Sequence, residues 1–181
     1  GLIRRGRGGG FYLYDHDKLL SDVAADSGPK VLIGVTYALL DLAERCPDLK
    51  GCIVMETGGM KGKRKELSKS ELHEVLTKSF GVECIHSEYG MAELTSQAYS
   101  TGEGVFRTPD WMRVLVRDTA DPTAISRRGR GGINIIDLAS RDSVAFIATG
   151  DVGTVTEDGS FTIDGRIAHS DIRGCNLLVQ Q

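Results

Sequence analysis

Apolar positions along the first two-thirds of the chain alternate between helical and strand spacing. Val35–Arg45 has leucines and an alanine at helix-like spacing and stops before Pro47. Residues 51–55 form a short continuous apolar run, which is typical of a buried strand, and another strand is predicted at residues 82–86. The order strand, loop, helix, strand predicts a parallel α/β sheet.

The clearest helix in the sequence begins at a capping box. Ser68 and Glu71 have the spacing of that motif, and Leu67 and Leu72 occupy the staple positions around it. Gly81 is placed to end the helix. The apolar residues that continue at helical spacing are Leu72, Val75, Leu76 and Phe80.

After about Trp111 the pattern changes to short strands separated by turns such as Asp158-Gly159. The predicted strands cover residues 112–116, 133–136, 144–147 and 161–163. We therefore expect an α/β fold in which a parallel-sheet subdomain, residues 1–111, is followed by a small β-rich subdomain, residues 112–181.

Composition narrows the class of protein. The 181 residues are 40% hydrophobic and 26% charged, which is typical of globular proteins. No apolar run is long enough to span a bilayer, and the basic, glycine-rich start does not resemble a signal peptide. The four scattered cysteines indicate a reducing compartment, so we expect a cytoplasmic protein. The first residue is not methionine, and we expect a segment of a longer protein.

Three glycine-centred segments are candidates for chemistry. The first is Thr57-Gly58-Gly59, after the strand at 51–55. Bare glycine backbone lets a flat adenine lie against the end of a strand, where ligands of open α/β sheets bind. The same pair of glycines also suits a tight turn with no ligand.

The second segment follows the strand at 82–86 and contains Tyr89, Gly90 and Glu93. A tyrosine beside a glycine can stack on a base, and a carboxylate is a hard oxygen ligand for magnesium shared with phosphate. A plain turn remains the alternative.

The third segment is Thr149-Gly150-Asp151, which we expect at the end of the apolar strand Val144–Ala148. Asp151 can accept hydrogen bonds from both hydroxyls of a ribose, or it can cap the following turn.

Taken together and in this order, the segments resemble the adenylate-forming superfamily of acyl- and aryl-CoA ligases, luciferases and peptide-synthetase adenylation domains. YGMAE resembles the YGxTE motif of that superfamily, and TGDVGTVTEDGSFTIDGR resembles its TGD…DG…GR stretch. The resemblance covers roughly residues 51–175. It implies that the chain is the C-terminal half of an adenylate-forming large domain that uses ATP and Mg²⁺.

A closer resemblance is to the acyl-protein synthetase (LuxE) family. It rests on ETGGMKG before a charged helix, on SEYGMAELTSQAYS, and on DIRGC near the end. The family activates a fatty acid as an acyl-adenylate, takes the acyl group onto a cysteine and passes it on. The implied partners are a fatty acid and an acyl-accepting reductase or carrier protein, and the implied acyl-carrying residue is Cys175. Read without the resemblance, Cys175 is a thiol beside Arg173, whose charge would favour the thiolate.

The resemblance also implies roles for the other residues. Thr57, Gly58 and Gly59 would border adenine, with Tyr89 and Gly90 opposite. Glu93 would bind magnesium, Asp151 would hold the ribose, and Arg166 would reach the ribose or phosphates.

The sequence departs from the superfamily pattern at three places. Ala92 replaces the usual threonine of YGxTE, so a neighbour such as Thr95 would have to supply a hydroxyl. Ala168 stands where the hinge aspartate is expected. The phosphate-gripping loop rich in Ser, Thr and Gly does not occur in these residues, and we expect weak ATP binding and poor turnover from this chain alone.

Other classes of function remain as alternatives. RRGRGG at 4–9 and 127–132 is found in RNA-binding tracts, but each copy runs into an apolar segment, which favours turns with solvated arginines, and the net charge of −3 gives no drive toward nucleic acid. The cluster Lys61–Lys65 is interpreted as a solvated face, with attraction of ATP phosphates or of an acidic carrier protein as the alternative. Cys84, His86 and His73 lack the spacing of a metal site. The nearest rival is a CoA ligase of the phenylacetate type, with free CoA in place of Cys175 as acceptor.

Overall fold

The computed structural model describes residues 9–58 and 67–167. Within these ranges the chain forms three helices and ten strands. The helices are α1 (His16–Ala25), α2 (Thr36–Ala43) and α3 (Lys69–Phe80). The strands are β1 (Lys30–Val35), β2 (Cys52–Thr57), β3 (Ile85–Tyr89), β4 (Ala98–Ser100), β5 (Phe106–Arg107), β6 (Met112–Arg117), β7 (Ile125–Ser126), β8 (Gly129–Asp137), β9 (Phe146–Val155) and β10 (Phe161–Arg166). In the part of the chain described, no helix has the length and apolar character needed to cross a bilayer.

All ten strands belong to one sheet, in the order β1-β2-β3-β4-β5-β10-β9-β8-β6-β7. The first three strands pair in parallel, and all later pairings are antiparallel. The predicted α/β fold, with a parallel part followed by a β-rich part, is confirmed. The division at residues 111 and 112 stays a prediction, and the antiparallel pairing already begins at β4.

Helix α3 has the ends that the sequence predicts. Ser68 accepts a hydrogen bond from the backbone N–H of Glu71, and the Glu71 side chain accepts one from the Ser68 backbone. Gly81 closes the helix in the left-handed conformation, with φ of 66°. Leu72, Leu76 and Phe80 are buried, whereas Val75, at the same helical spacing, is 44% exposed.

Two predicted strands have different limits in the structure. Strand β3 begins at Ile85 rather than Val82 and continues to Tyr89. Strand β9 begins at Phe146 rather than Val144 and continues through Asp151 to Val155. It extends past the apolar run because its second edge is paired with β10, whose position the local sequence does not indicate.

The second copy of RRGRGG is also placed differently from the prediction. Residues 129–132 form the first part of β8, so this segment is strand rather than turn. Its arginines are exposed: Arg128 pairs with Glu157 at 2.8 Å and Arg130 with Asp164 at 2.9 Å. The first copy lies almost entirely outside the described residues.

Three aromatic rings connect the parallel and antiparallel parts of the sheet. Phe106 on β5 stacks on Phe161 on β10, with ring centroids 5.4 Å apart. Tyr89 at the end of β3 packs against both rings, at 5.8 and 5.5 Å. We call Tyr89, Phe106 and Phe161 the aromatic joint. It places the end of β3 beside β9 and β10.

A buried carboxylate on β2 faces helix α3, in the parallel part of the sheet. Glu56 is 1% exposed, and its Oε1 lies 2.6 Å from Lys69 Nζ and 3.7 Å from His73 Nε2, both on α3. Burial opposes ionisation of Glu56, but hydrogen bonding to His73 and the charge of Lys69 outweigh it, so the pKa of Glu56 is below its usual value. The ion pair therefore ties α3 to β2 at neutral pH.

Glu56→Gln should lower the free energy of unfolding at pH 7 by about 1–3 kcal/mol, because a charged hydrogen bond is lost in a buried position. A carboxylate with a lowered folded pKa adds stability above its unfolded pKa, near 4.5, and that stability is lost as pH falls through the folded pKa. Urea unfolding followed from about pH 7 to about pH 3 should therefore show less acid destabilisation in the variant. Glu74→Gln, at an exposed position of α3, is the control; equal pH profiles for wild type and Glu56→Gln would contradict the prediction.

Candidate functional site

The ends of β2 and β3 meet at one edge of the sheet. These strands are parallel neighbours, with Thr57 opposite Glu88, and the Thr57 hydroxyl donates to Glu88 Oε1 over 3.1 Å. A side chain at residue 58 would meet no atom within 4 Å, so space does not require glycine there. Glycine is required because the backbone is left-handed, with φ of 79°. The structure thus brings Thr57 and Gly58 to the same edge as Tyr89 and Gly90, and Gly59 lies outside the described residues.

The carbonyl of Gly58 accepts a hydrogen bond from the first residue of α2. Thr36 Oγ1 lies 3.0 Å from the Gly58 carbonyl oxygen and 3.3 Å from Glu56 Oε2. Thr36 is 1% exposed. The glycine segment is therefore anchored to the same buried network as Glu56.

Tyr89 joins this edge to the distant segment that contains Asp151. The Tyr89 hydroxyl donates a hydrogen bond to Asp151 Oδ2 over 2.7 Å. Burial, and then the negative charge of Asp151, raise the pKa of Tyr89 above its usual value of 10. The phenol therefore stays protonated and donates to the carboxylate across the neutral pH range.

Arg166 lies on the other side of the same carboxylate. Asp151 and Arg166 face each other in the β9–β10 ladder, and Arg166 Nε is 3.7 Å from Asp151 Oδ1. The Asp151 side chain is 18% exposed and that of Arg166 is 44% exposed. We call Tyr89, Asp151 and Arg166 the Tyr-Asp-Arg cluster. It offers carboxylate oxygens and guanidinium N–H groups within reach of a ligand at the sheet edge.

Asp151 lies inside strand β9, so the prediction that Thr149-Gly150-Asp151 follows the end of a strand is wrong. Gly132 pairs with Val152 and Asn134 with Ala148, so the three residues 149–151 oppose the single residue Ile133. This is a β-bulge, a feature that re-aims side chains beside functional sites. The Thr149 hydroxyl bonds the Ile133 carbonyl at 3.0 Å and accepts from the Asp151 N–H at 3.1 Å.

Glu93 lies exposed in the turn after β3. The residues that follow it are fixed by Asp137, which sequence reasoning missed. Asp137 is fully buried and accepts hydrogen bonds from the backbone N–H groups of Thr95 at 3.1 Å and Ser96 at 2.8 Å, and from the Ser96 hydroxyl at 2.8 Å. Burial opposes ionisation of Asp137, but these donors outweigh it and hold its pKa below the usual value. The only signal in the sequence is an aspartate at the end of an apolar run.

The remaining candidates are separate from this edge or outside the described residues. Cys175 and Ala168 fall outside them. Cys84 Sγ lies 3.7 Å from His86 Nε2, whereas His73 Nε2 lies 3.2 Å from Ser87 Oγ. Among residues 9–58 and 67–167, no three His, Cys, Asp or Glu side chains are grouped so as to hold a metal ion.

The fold is shared with solved structures of longer chains. Residues covering 84% of the chain superpose on ATP-bound MatB from Rhodopseudomonas palustris, with a TM-score of 0.59 and 20% identity. The R395G mutant of the coronafacic acid ligase from Pectobacterium brasiliense superposes on 89% of the chain, with a TM-score of 0.61 and 16% identity. The amide bond synthetase McbA from Marinactinospora thermotolerans superposes on 84% of the chain, with a TM-score of 0.60 and 19% identity. The chain therefore shares the fold of part of each of these proteins.

The likeness is one of fold, since all these identities are low. The chain spans about a third of the length of these structures, namely 33% of MatB and 34% of each of the other two. No family profile matches the sequence, and no curated protein matches it.

Asp151→Asn should lower the pKa of Tyr89, because removal of the carboxylate charge removes one of the two main reasons for its elevation. The shift can be measured by NMR titration of ¹³Cζ-labelled tyrosine, with the resonance assigned through Tyr89→Phe. Asp164→Asn, on β10 but exposed, should leave the titration unchanged. An unaltered Tyr89 titration in Asp151→Asn would show that the hydrogen bond does not exist in solution.

Proposed function

We propose that this chain forms the adenine- and ribose-binding part of an enzyme that uses ATP and Mg²⁺ to activate a carboxylic acid as an acyl-adenylate. The observation that carries the proposal is the Tyr-Asp-Arg cluster, which lies at the same sheet edge as Thr57 and Gly58. Its members are far apart in the sequence, and their order matches the superfamily motifs. The fold is shared with a structure of MatB with ATP bound, which supports the same proposal.

Each residue has a physical reason for its proposed role. Asp151 is partly exposed and bears acceptor oxygens, so it would accept hydrogen bonds from the ribose hydroxyls while Arg166 donates to the ribose or phosphates. Gly58 would let adenine approach the backbone, with Tyr89 and Gly90 opposite. Mg²⁺ bound here would neutralise phosphate charge, and Glu93 is an exposed carboxylate of the type that holds it together with phosphate oxygens.

If the chain supplies adenine and ribose contacts without a phosphate-gripping loop, adenosine, AMP and ATP should bind with affinities within about threefold of one another, in about the millimolar range. Asp151→Asn should weaken adenosine binding about tenfold, because hydrogen bonds to a charged group are lost. Chemical-shift titration measures both, and 2′,3′-dideoxyadenosine should bind the wild type as weakly as adenosine binds the variant.

Asp142→Asn, at an exposed position before β9, is the matched control and should bind adenosine like the wild type. Absence of nucleoside binding, or equal binding of adenosine and dideoxyadenosine, would contradict the ribose role of Asp151. Micromolar ATP affinity would contradict the expectation that binding is weak without a phosphate-gripping loop.

The finer form of the proposal is an acyl-protein synthetase that works in the cytoplasm. A fatty acid would be activated as the adenylate, and the Cys175 thiolate would attack its acyl carbon, forming the thioester and releasing AMP. An acyl-accepting reductase or carrier protein would then receive the acyl group. The support for this form is the sequence resemblance at ETGGMKG, SEYGMAELTSQAYS and DIRGC.

The acceptor can be identified by mass spectrometry of the full-length protein after incubation with ATP, Mg²⁺ and a panel of fatty acids. We expect a hydroxylamine-sensitive acyl mass on the Cys175 peptide that disappears in Cys175→Ser and persists in Cys46→Ser, an exposed cysteine of the same chain. Pyrophosphate release without an adduct, becoming productive on addition of CoA, would instead assign an acyl- or aryl-CoA ligase.

A further inference from the structure

A charged side chain on β6 hydrogen-bonds to both sides of the bulge that contains Asp151, which lies between β8 and β9. Arg117, the last residue of β6, donates from Nη1 to the Ile133 carbonyl at 2.8 Å and to Asn134 Oδ1 at 2.6 Å. Its Nη2 donates to the Thr149 carbonyl at 2.5 Å. One guanidinium therefore bonds the residue opposite the bulge and the first residue of the bulge itself.

This bridge replaces contacts that a regular ladder would have made. Where three residues oppose one, the bulged strand cannot make its usual hydrogen bonds to the neighbour. Buried backbone carbonyls need partners, and Thr149 is only 6% exposed. The forked, planar guanidinium can reach two carbonyls at once, which the single ammonium of lysine cannot do with the same geometry.

The glycines of the second RRGRGG copy make room for this arginine. A Cβ on Gly132 would lie 2.8 Å from Arg117 Cζ, and a Cβ on Gly131 would lie 2.3 Å from the Arg117 carbonyl oxygen. Side chains at these two positions are thus incompatible with Arg117 in its observed place. The repeat, which suggested RNA binding, has a structural reason in this copy.

We infer that Arg117 is a positioning residue for Asp151. It fixes the carbonyl of Thr149, the Thr149 hydroxyl accepts from the Asp151 N–H, and the Asp151 carboxylate then faces the Tyr89 hydroxyl. Arg117 acts through the backbone of the bulge. Its effect on nucleotide binding rests on the proposed function, but its effect on the Tyr89–Asp151 hydrogen bond does not.

The test compares Arg117→Lys and Arg117→Met with Arg113→Lys and Arg113→Met. Arg113 lies on the same strand but is exposed, so it is a matched control. In both Arg117 variants the pKa of Tyr89, measured by ¹³Cζ titration, should move toward that of an ordinary tyrosine. The change should be larger in Arg117→Met than in Arg117→Lys, and the Arg113 variants should have the wild-type pKa. A fall in Tm with an unchanged Tyr89 titration would overturn the inference, since it would show a role in stability alone.

Gly132→Ala gives a second route that leaves Arg117 in the sequence. The added Cβ should displace the guanidinium and change the Tyr89 titration in the same direction, with no further change in Gly132→Ala/Arg117→Lys. Additive effects in the double variant would contradict the shared mechanism.

Nucleoside titration separates this inference from the proposed function. Adenosine binding should weaken about tenfold in Arg117→Lys, with little further loss in Arg117→Lys/Asp151→Asn. If wild type does not bind adenosine, the proposed function fails while the Tyr89 readout still decides the role of Arg117. If adenosine binds and Arg117→Lys changes neither binding nor the Tyr89 titration, the inference is overturned and the proposed function stands.

Discussion

Packing of three aromatic rings determines how the two parts of the sheet meet. Strand β5 is very short, and its register with β10 is set by the single pair Phe106 and Phe161. The stacked rings, with Tyr89 against them, supply contacts that so short a ladder lacks. Because Tyr89 also ends β3, the same packing brings the edge of the parallel strands to Asp151. Without this joint, the residues of the candidate site would belong to separate parts of the molecule.

A second regularity is that each segment of the candidate site rests on a buried or half-buried polar or charged group outside its motif. The Gly58 carbonyl is held by Thr36, the turn after Glu93 by Asp137, and the bulge by Arg117. Loops that approach a ligand leave backbone groups without ladder partners, and buried backbone groups must find partners elsewhere. Such supports fix the positions of the exposed side chains of the candidate site.

Sequence reasoning succeeded where the signal is local. The ends of α3 follow from Ser68 and Gly81, because capping is decided within a few residues. The bulge at Asp151 could not be predicted, because it depends on pairing with two strands at once. Motifs identified most of the residues that the structure brings to one edge. They gave no indication of Arg117 or Asp137, whose partners lie far away along the chain.

The order of the strands has a consequence for how the molecule folds. The antiparallel strands β6, β8 and β9 are connected by short segments, and so are the helices and strands before β4. The contact of Phe106 with Phe161 instead closes a long stretch of chain around all of β6 to β9. Closing such a loop costs more entropy, and contacts between distant residues form slowly. We therefore expect the β-rich part and the parallel part to gain structure separately, and the candidate site at their shared edge to be the last feature to appear during folding.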